Sequence, residues 1–216
     1  MEQKWTKSYF DEIYLHKDPW YFFSSDYEQE KYLRQIRFIK EHLRMPPNEI
    51  LELGCAEGAH TLLLANKFPD AHVTGIDIST RAIKKARSNL RSYPQVNLIE
   101  ADIADSFKMI KTRKFDLIIF SETVYYMGAT LSVCQLFSFF TKLVKLLTKR
   151  GILCLANIIE QKHSEETILN MRPVMECYYT LLSSLAVPVH RSTYWETKKE
   201  SNAIYEYQIW LFRKMN

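Results

Sequence analysis

The chain has 216 residues, 47% of them hydrophobic and 25% charged. That fits one domain that buries a core and stays in solution. The net charge of +4, with a pI near 8.7, is too mild to argue for a nucleic-acid partner.

The first forty residues are rich in aromatics and weakly periodic up to about Asp26. From Tyr27 to Leu43 the spacing of Tyr32, Ile36, Ile39 and Leu43 predicts a helix. Met45-Pro46-Pro47-Asn48 ends it. A strand over 50–53 and a helix over 58–68 follow, then a strand over 71–77. Ser79 is a good N-cap for the next helix, whose apolar face is Ala82, Ile83, Ala86 and Leu90. Pro94 breaks that helix.

A third strand covers 96–100. A fourth covers 115–120 and is apolar enough to be buried on both faces. A helix over about 130–147 leads through Lys149-Arg150-Gly151 into a fifth strand, 152–156. A further helix is expected over roughly 164–185. Two strands, 187–195 and 203–212, close the chain, the second of them half-buried, with Trp210 and tyrosines alternating with polar residues.

Strands alternating with helices predict an α/β fold: a Rossmann-like, doubly wound, mostly parallel seven-stranded sheet with helices on both faces. The closing pair predicts an antiparallel final strand. All 216 residues form one domain, and residues 1–45 are its aromatic and helical lid segment.

Cys55, Cys134, Cys154 and Cys177 are scattered and form no CxxC pair. No zinc site or other metal site is expected, and three of the thiols are read as core residues in a reducing compartment. The N-terminal MEQKWTKSYFDEIY lacks the apolar run of a signal peptide. No stretch nears the roughly 18 apolar residues of a membrane span. The expectation is a cytoplasmic protein, a monomer or homodimer, with no membrane or nucleic-acid partner.

Two of the five glycines, Gly54 and Gly58, fall in ILELGCAEGAH, at a turn from strand to helix. Such a turn is the usual entrance to a nucleotide pocket. A dinucleotide site prefers G-x-G-x-x-G. Here the middle glycine is missing, and Glu52 and Glu57 supply negative charge that repels a pyrophosphate. The loop suits a ligand with a cationic end and no phosphate, such as S-adenosyl-L-methionine (SAM). Asp77, ending the second strand, is placed to accept from ribose hydroxyls, and Asp102, after the third, from an adenine amino group. The basic set Arg81, Lys84, Lys85, Arg87 and Arg91 reads as a solvated helix face or a partner surface.

ILELGCAEGAH, TGIDIS, IEADI and FDLIIFSETVYYM resemble the first four motifs of the class I SAM-dependent methyltransferases, and LTKRGILCL resembles their turn and fifth strand. Within them, GCAEGAHT, SETVYYM and DPWYFFSSDYEQEKY resemble the nodulation protein S (NodS) family of N-methyltransferases. That resemblance implies methylation of the amine of an aminosugar-like acceptor, with S-adenosylhomocysteine (SAH) as product. Segment 157–163 and the aromatic tail do not resemble that family. Alternatives are an O-methyltransferase for a small natural product and, disfavoured by the loop, an NAD(P)-dependent oxidoreductase.

The implied cofactor contacts are Trp20, Lys31, Glu52, Gly54, Ala56, Gly58, Asp77, Ile78, Asp102, Ile103 and Ser121, with Lys31 placed to pair with the methionine carboxylate. The catalytic candidates are Glu122, Tyr126 and His163. Glu122 either orients an ammonium and takes its proton or caps the next helix. Tyr125 and Tyr126 either line the methyl channel or pack. His163 is a second base or incidental. Trp20, Tyr21, Phe22, Phe23 and Tyr27 form a lid over the cofactor or only cap the sheet.

Overall fold

A computed structural model describes residues 5–128, 131–163, 166–200 and 202–215. Four parallel strands form the first half of the sheet: β1 (Glu49–Leu53), β2 (His72–Asp77), β3 (Val96–Glu100) and β4 (Phe115–Ser121). The chain runs outward from β1 through β2 to β3, then crosses back to lay β4 on the other side of β1. That reversal opens a crevice at the carboxyl ends of β1 and β4, the place where open α/β sheets bind ligands.

The second half is longer than the sequence suggests. β5 runs from Leu147 to His163, parallel to β4. β8 (Ala203–Lys214) pairs antiparallel with it, and β7 (Ala186–Lys198) forms the outer edge on β8. The order is β3-β2-β1-β4-β5-β8-β7. The antiparallel final strand is as expected, but the sheet has eight strands. The additional one is β6 (Glu166–Asn170), a hairpin partner of the overhanging end of β5.

β6 corrects the expected helix over 164–185, of which residues 164 and 165 lie outside the described residues. The helix there, α8, begins only at Arg172 and ends at Ser183. Pro173 in its first turn is tolerated because an N–H there has no acceptor within the helix, so the missing donor costs nothing. Upstream, the overhanging β5 backbone offers a ladder that 166–170 takes instead.

Alternation along the strands builds two cores. In β4, Ile118 and Phe120 face α7 (Val133–Leu146) and α8, joining Phe139, Phe140, Leu143, Tyr178 and Leu182. Leu117 and Ile119 face α2 (Asp26–His42) and α3 (Ala59–Lys67), joining Ile36, Ile39, Leu64 and Phe68. α7 starts at a reciprocal capping box between Ser132 and Gln135. Ser79 caps α4 (Thr80–Asn89) by accepting the Ala82 N–H. Arg81, Lys84, Arg87 and Arg91 are exposed on and beyond α4, whereas Lys85 turns back to Glu57 at 3.3 Å.

Three helices had no counterpart in the sequence reading: α1 (Lys7–Ile13), α5 (Ile103–Ile110) and the short α6 (Val124–Gly128). Of the cysteines, Cys55 and Cys154 are buried, but Cys134 and Cys177 are exposed on helices, so two rather than three are core thiols. No described helix is long and apolar enough to cross a membrane.

The aromatic tail is deeper than a half-buried strand. With neighbours on both edges and helices on both faces, β8 buries Tyr207, Trp210 and Phe212 completely. Trp210→Ala is expected to lower the unfolding free energy by about 3–5 kcal/mol in urea denaturation. A much smaller loss would put β8 outside the cooperative core.

Candidate active site

Gly54 and Gly58 both take left-handed φ values, +78° and +88°. The first lets the chain leave β1 against β4, since a Cβ on Gly54 would meet the Thr123 side chain at 2.2 Å. The second, the N-cap of α3, packs against Leu90 of the α4 C-terminus. Asp77 fastens the loop: one carboxylate oxygen accepts the Ala56 N–H and the other the Ser79 N–H, both at 2.9 Å. Burial pushes the Asp77 carboxyl up to about 6, against the pull of those two N–H donors.

A cavity of about 950 Å³ opens over these ends. Glu52, Gly54, Ala56, Asp77, Ile78, Asp102 and Ile103 line one side of it. Asp102 also caps α5, accepting the Ala104 N–H at 2.7 Å. Ser121, Glu122 and Tyr126 line the other side, and Trp20 closes over it. Two expected residues do not reach the cavity wall. Gly58 shapes the turn behind it. His163 is exposed at the far end of β5, because that strand continues well past Ala156 and pairs His163 with Glu166 of β6.

Lys31 lines the cavity, but its charge is already matched. Its ammonium contacts Glu28, one helical turn earlier, and lies 3.4 Å from Glu122 Oε1. The rings of Phe22, Tyr27, Tyr32 and Tyr207 surround it at 5.3–5.9 Å. Burial works against the Lys31 charge, but the two glutamates outweigh it and hold its pKa above the ordinary lysine value. Glu28 also accepts from Lys198 of β7 at 2.7 Å. The expected role of Lys31, pairing with a ligand carboxylate, therefore meets an ammonium claimed by two protein carboxylates.

Glu122 is held more loosely. Its other oxygen faces the Ile158 N–H at 3.5 Å, and the Tyr125 hydroxyl also hydrogen-bonds its carboxylate. Its backbone sits at φ +53°, a strained setting for a residue with a side chain. Burial pushes its carboxyl above the usual range, with Lys31 pulling the other way. Tyr125 donates to the Tyr126 hydroxyl at 3.3 Å. Burial pushes the Tyr126 phenol up to about 12, so it stays protonated near neutral pH.

The N-terminal segment lies across the opening. Trp5 and Phe10 pack on Tyr126 with ring centroids at 4.8 and 5.3 Å. Asp11 ties α1 to the start of α4 by accepting from Ser79 Oγ at 2.7 Å and from the Arg81 N–H at 3.2 Å. Of the expected lid aromatics, Trp20, Phe22 and Tyr27 face the cavity, whereas Tyr21 and Phe23 are exposed.

Several lining residues had no sequence signal. Glu28, Tyr14 and His60 are buried polar or aromatic groups that also meet distant parts of the chain: Glu28 reaches Lys198, Tyr14 lies under Lys85 and His60 stacks on Tyr32. Leu169, Met171 and Tyr205 come from the β5–β6 and β7–β8 region. Only a buried charge pattern in α2, Glu28 followed by Lys31, hinted at an internal ion pair. Among the described residues no cluster of His, Cys, Asp and Glu could hold a metal ion.

Lys31→Met leaves Glu122 buried without its cation and is expected to cost about 3–5 kcal/mol of stability. Adding Glu122→Gln to that variant should restore much of the loss in a denaturation series. A single mutant as stable as the parent would mean that the ion pair is not formed.

A family model described as a methyltransferase domain matches residues 47–208. Nodulation protein S from Sinorhizobium fredii is 33% identical over 112 residues, covering 51% of this chain and 48% of that protein. The chain thus spans about half the length of the nodulation proteins it matches. A trans-aconitate 2-methyltransferase of Escherichia coli is 28% identical over 176 residues, 73% of this chain and 64% of that one. The crystal structure of N-methyltransferase NodS from Bradyrhizobium japonicum WM9, in complex with SAH, superposes with a TM-score of 0.74 at 22% identity, covering 97% and 98% of the two chains. The matched segment runs from the start of β1 into β8 and includes the glycine loop, Asp77 and Glu122, and the chain belongs to the methyltransferase-domain family.

Proposed function

We propose that this protein is a SAM-dependent methyltransferase that methylates an amine of a small, polar, aminosugar-like acceptor. The residues present fit the cofactor. Carboxylates at Glu52, Asp77 and Asp102 face the space over the glycine loop. They suit a ligand with hydroxyl, amino and cationic groups and would repel a pyrophosphate. A cavity of about 950 Å³ has room for a nucleoside ligand and a small acceptor together. When bound, SAM supplies an electrophilic methyl carbon on a sulfonium with a neutral leaving group.

The observation that carries the amine reading is Glu122. It stands at the carboxyl end of β4, faces the cavity, and keeps acceptor capacity beyond its contacts with Lys31, Ile158 and Tyr125. Such a carboxylate can orient an ammonium, accept its proton and leave the amine neutral for attack. An alkyl hydroxyl needs a stronger base. Tyr126 stays protonated and His163 stands outside the cavity, so neither provides one. The Tyr125–Tyr126 pair offers hydroxyls to hold the acceptor. Trp5, Phe10, Trp20 and Phe22 shield the reacting groups from water. Positioning of this kind is worth up to about 7–11 kcal/mol in well-oriented systems.

Calorimetric titration with SAM, followed by mass spectrometry of aminosugars and hydroxylated metabolites, tests the reading. The expected result is SAM binding and a product heavier by one CH₂ on nitrogen. Methylation of hydroxyls alone would overturn the acceptor class. Glu122→Gln should lower turnover by about 10²–10⁴-fold while leaving SAM affinity nearly intact.

Asp77 gives a pH signature. Its folded-state pKa is raised to about 6, so the proton binds the ligand-free fold more tightly than the unfolded chain. Its contribution to stability is therefore lost as pH rises from the ordinary carboxylate value through about 6. Ribose hydroxyls donate to the ionised form. Affinity for SAH should then fall as pH drops below about 6, and Asp77→Asn should bind weakly with a flatter profile. An unchanged slope in that variant would remove Asp77 from the site.

A further inference from the structure

His60 is the second residue of α3 and lines the same cavity. It is 4% exposed, and neither ring nitrogen has a hydrogen-bond partner. A buried polar group left without a partner costs stability, about 1–3 kcal/mol, unless something else supplies the bond. The ring lies flat on Tyr32, with centroids 4.4 Å apart and planes at 7°, so only its edge is available. Nδ1 stands 3.2 Å from Glu52 Oε1, while Glu52 Oε2 takes the Thr61 hydroxyl.

The position is also the amino end of a helix. Gly58 supplies no side-chain cap, and the first turn of α3 carries no acidic residue. The partial positive charge of that turn is thus not offset by its own side chains. The lysines lining the cavity, Lys31 and Lys198, are both paired with Glu28. An anionic group entering here finds His60 and the α3 amino end as donors.

We propose that His60 binds the carboxylate at the amino-acid end of the cofactor, acting as a positioning residue for the methyl donor. The proposal rests on the SAM reading above and assigns that end of the ligand to His60 in place of Lys31. The ring edge presents Nδ1 to Glu52, 3.2 Å away, and Nε2 to the ligand carboxylate. Glu52 keeps lone pairs for the ligand's ammonium, so the two neighbouring side chains together recognise a zwitterion.

The test compares two ligands by calorimetry: SAH, and 5′-methylthioadenosine, which lacks the amino-acid end. His60→Phe keeps the stacked ring and removes both nitrogens. It should weaken SAH about tenfold or more while leaving methylthioadenosine unchanged. His60→Gln, which restores a donor, should recover part of the SAH affinity. Unchanged SAH binding in His60→Phe overturns the proposal. So does an equal loss of both ligands in both variants, which would mark His60 as structural. A wild-type protein that binds neither ligand would instead sink the cofactor reading, and this proposal with it.

Discussion

The buried ammonium of Lys31 is the constraint on which the acceptor side of the site depends. Placing one cation and two carboxylates away from water is costly, and the arrangement holds only while all three stay together. Lys31 and Glu28 ride on α2, whereas Glu122 ends β4. The triad therefore ties the first long helix to the strand end where chemistry is expected. Four aromatic rings close around it, and Lys198 reaches the same Glu28 from the edge strand β7. Any shift of α2 moves the partner of Glu122, and with it the protonation of that carboxylate.

On the other side of the cavity, order comes from backbone N–H groups. Asp77 holds the glycine loop through Ala56 and the start of α4 through Ser79. Asp11 then fastens the N-terminal segment to the same Ser79. Ser79 thus links the floor of the pocket to its cover, its N–H going to Asp77 and its hydroxyl to Asp11. The cost of keeping Asp77 ionised in this buried setting is what raises its pKa. Further hydrogen-bond donors to the carboxylate would lower it again.

The parts of this design that were readable in the sequence are local ones. Strand–glycine–helix at 50–60 and the acid at Asp77 depend on residues a few positions apart, and hydrophobic period alone placed β1 to β4. The partner of Lys31 across the cavity was not readable, because Glu122 lies 91 positions away and only the fold brings it alongside. His163 and the missed β6 share one cause. The sequence gives no sign that β5 continues past Ala156, because that extension is stabilised by pairing with β8 across the sheet. His60 carried no signal either. Its meaning lies in the stacking on Tyr32 and in the donors it is denied, both of them tertiary facts.

The β5–β6 hairpin has one more implication. Groups that face the expected cofactor occupy residues 52–103, whereas much of the facing wall is drawn from residues 121–205. β6 is off the main path of the sheet and pairs only with β5, yet it brings Leu169 and the adjoining Met171 to the cavity. Its side chains are exposed, so changes there disturb little of the core. The two walls of the cavity thus come largely from different stretches of the chain. Side chains on the hairpin can therefore be exchanged, and that wall of the cavity reshaped, without touching the glycine loop or the buried core on the opposite side.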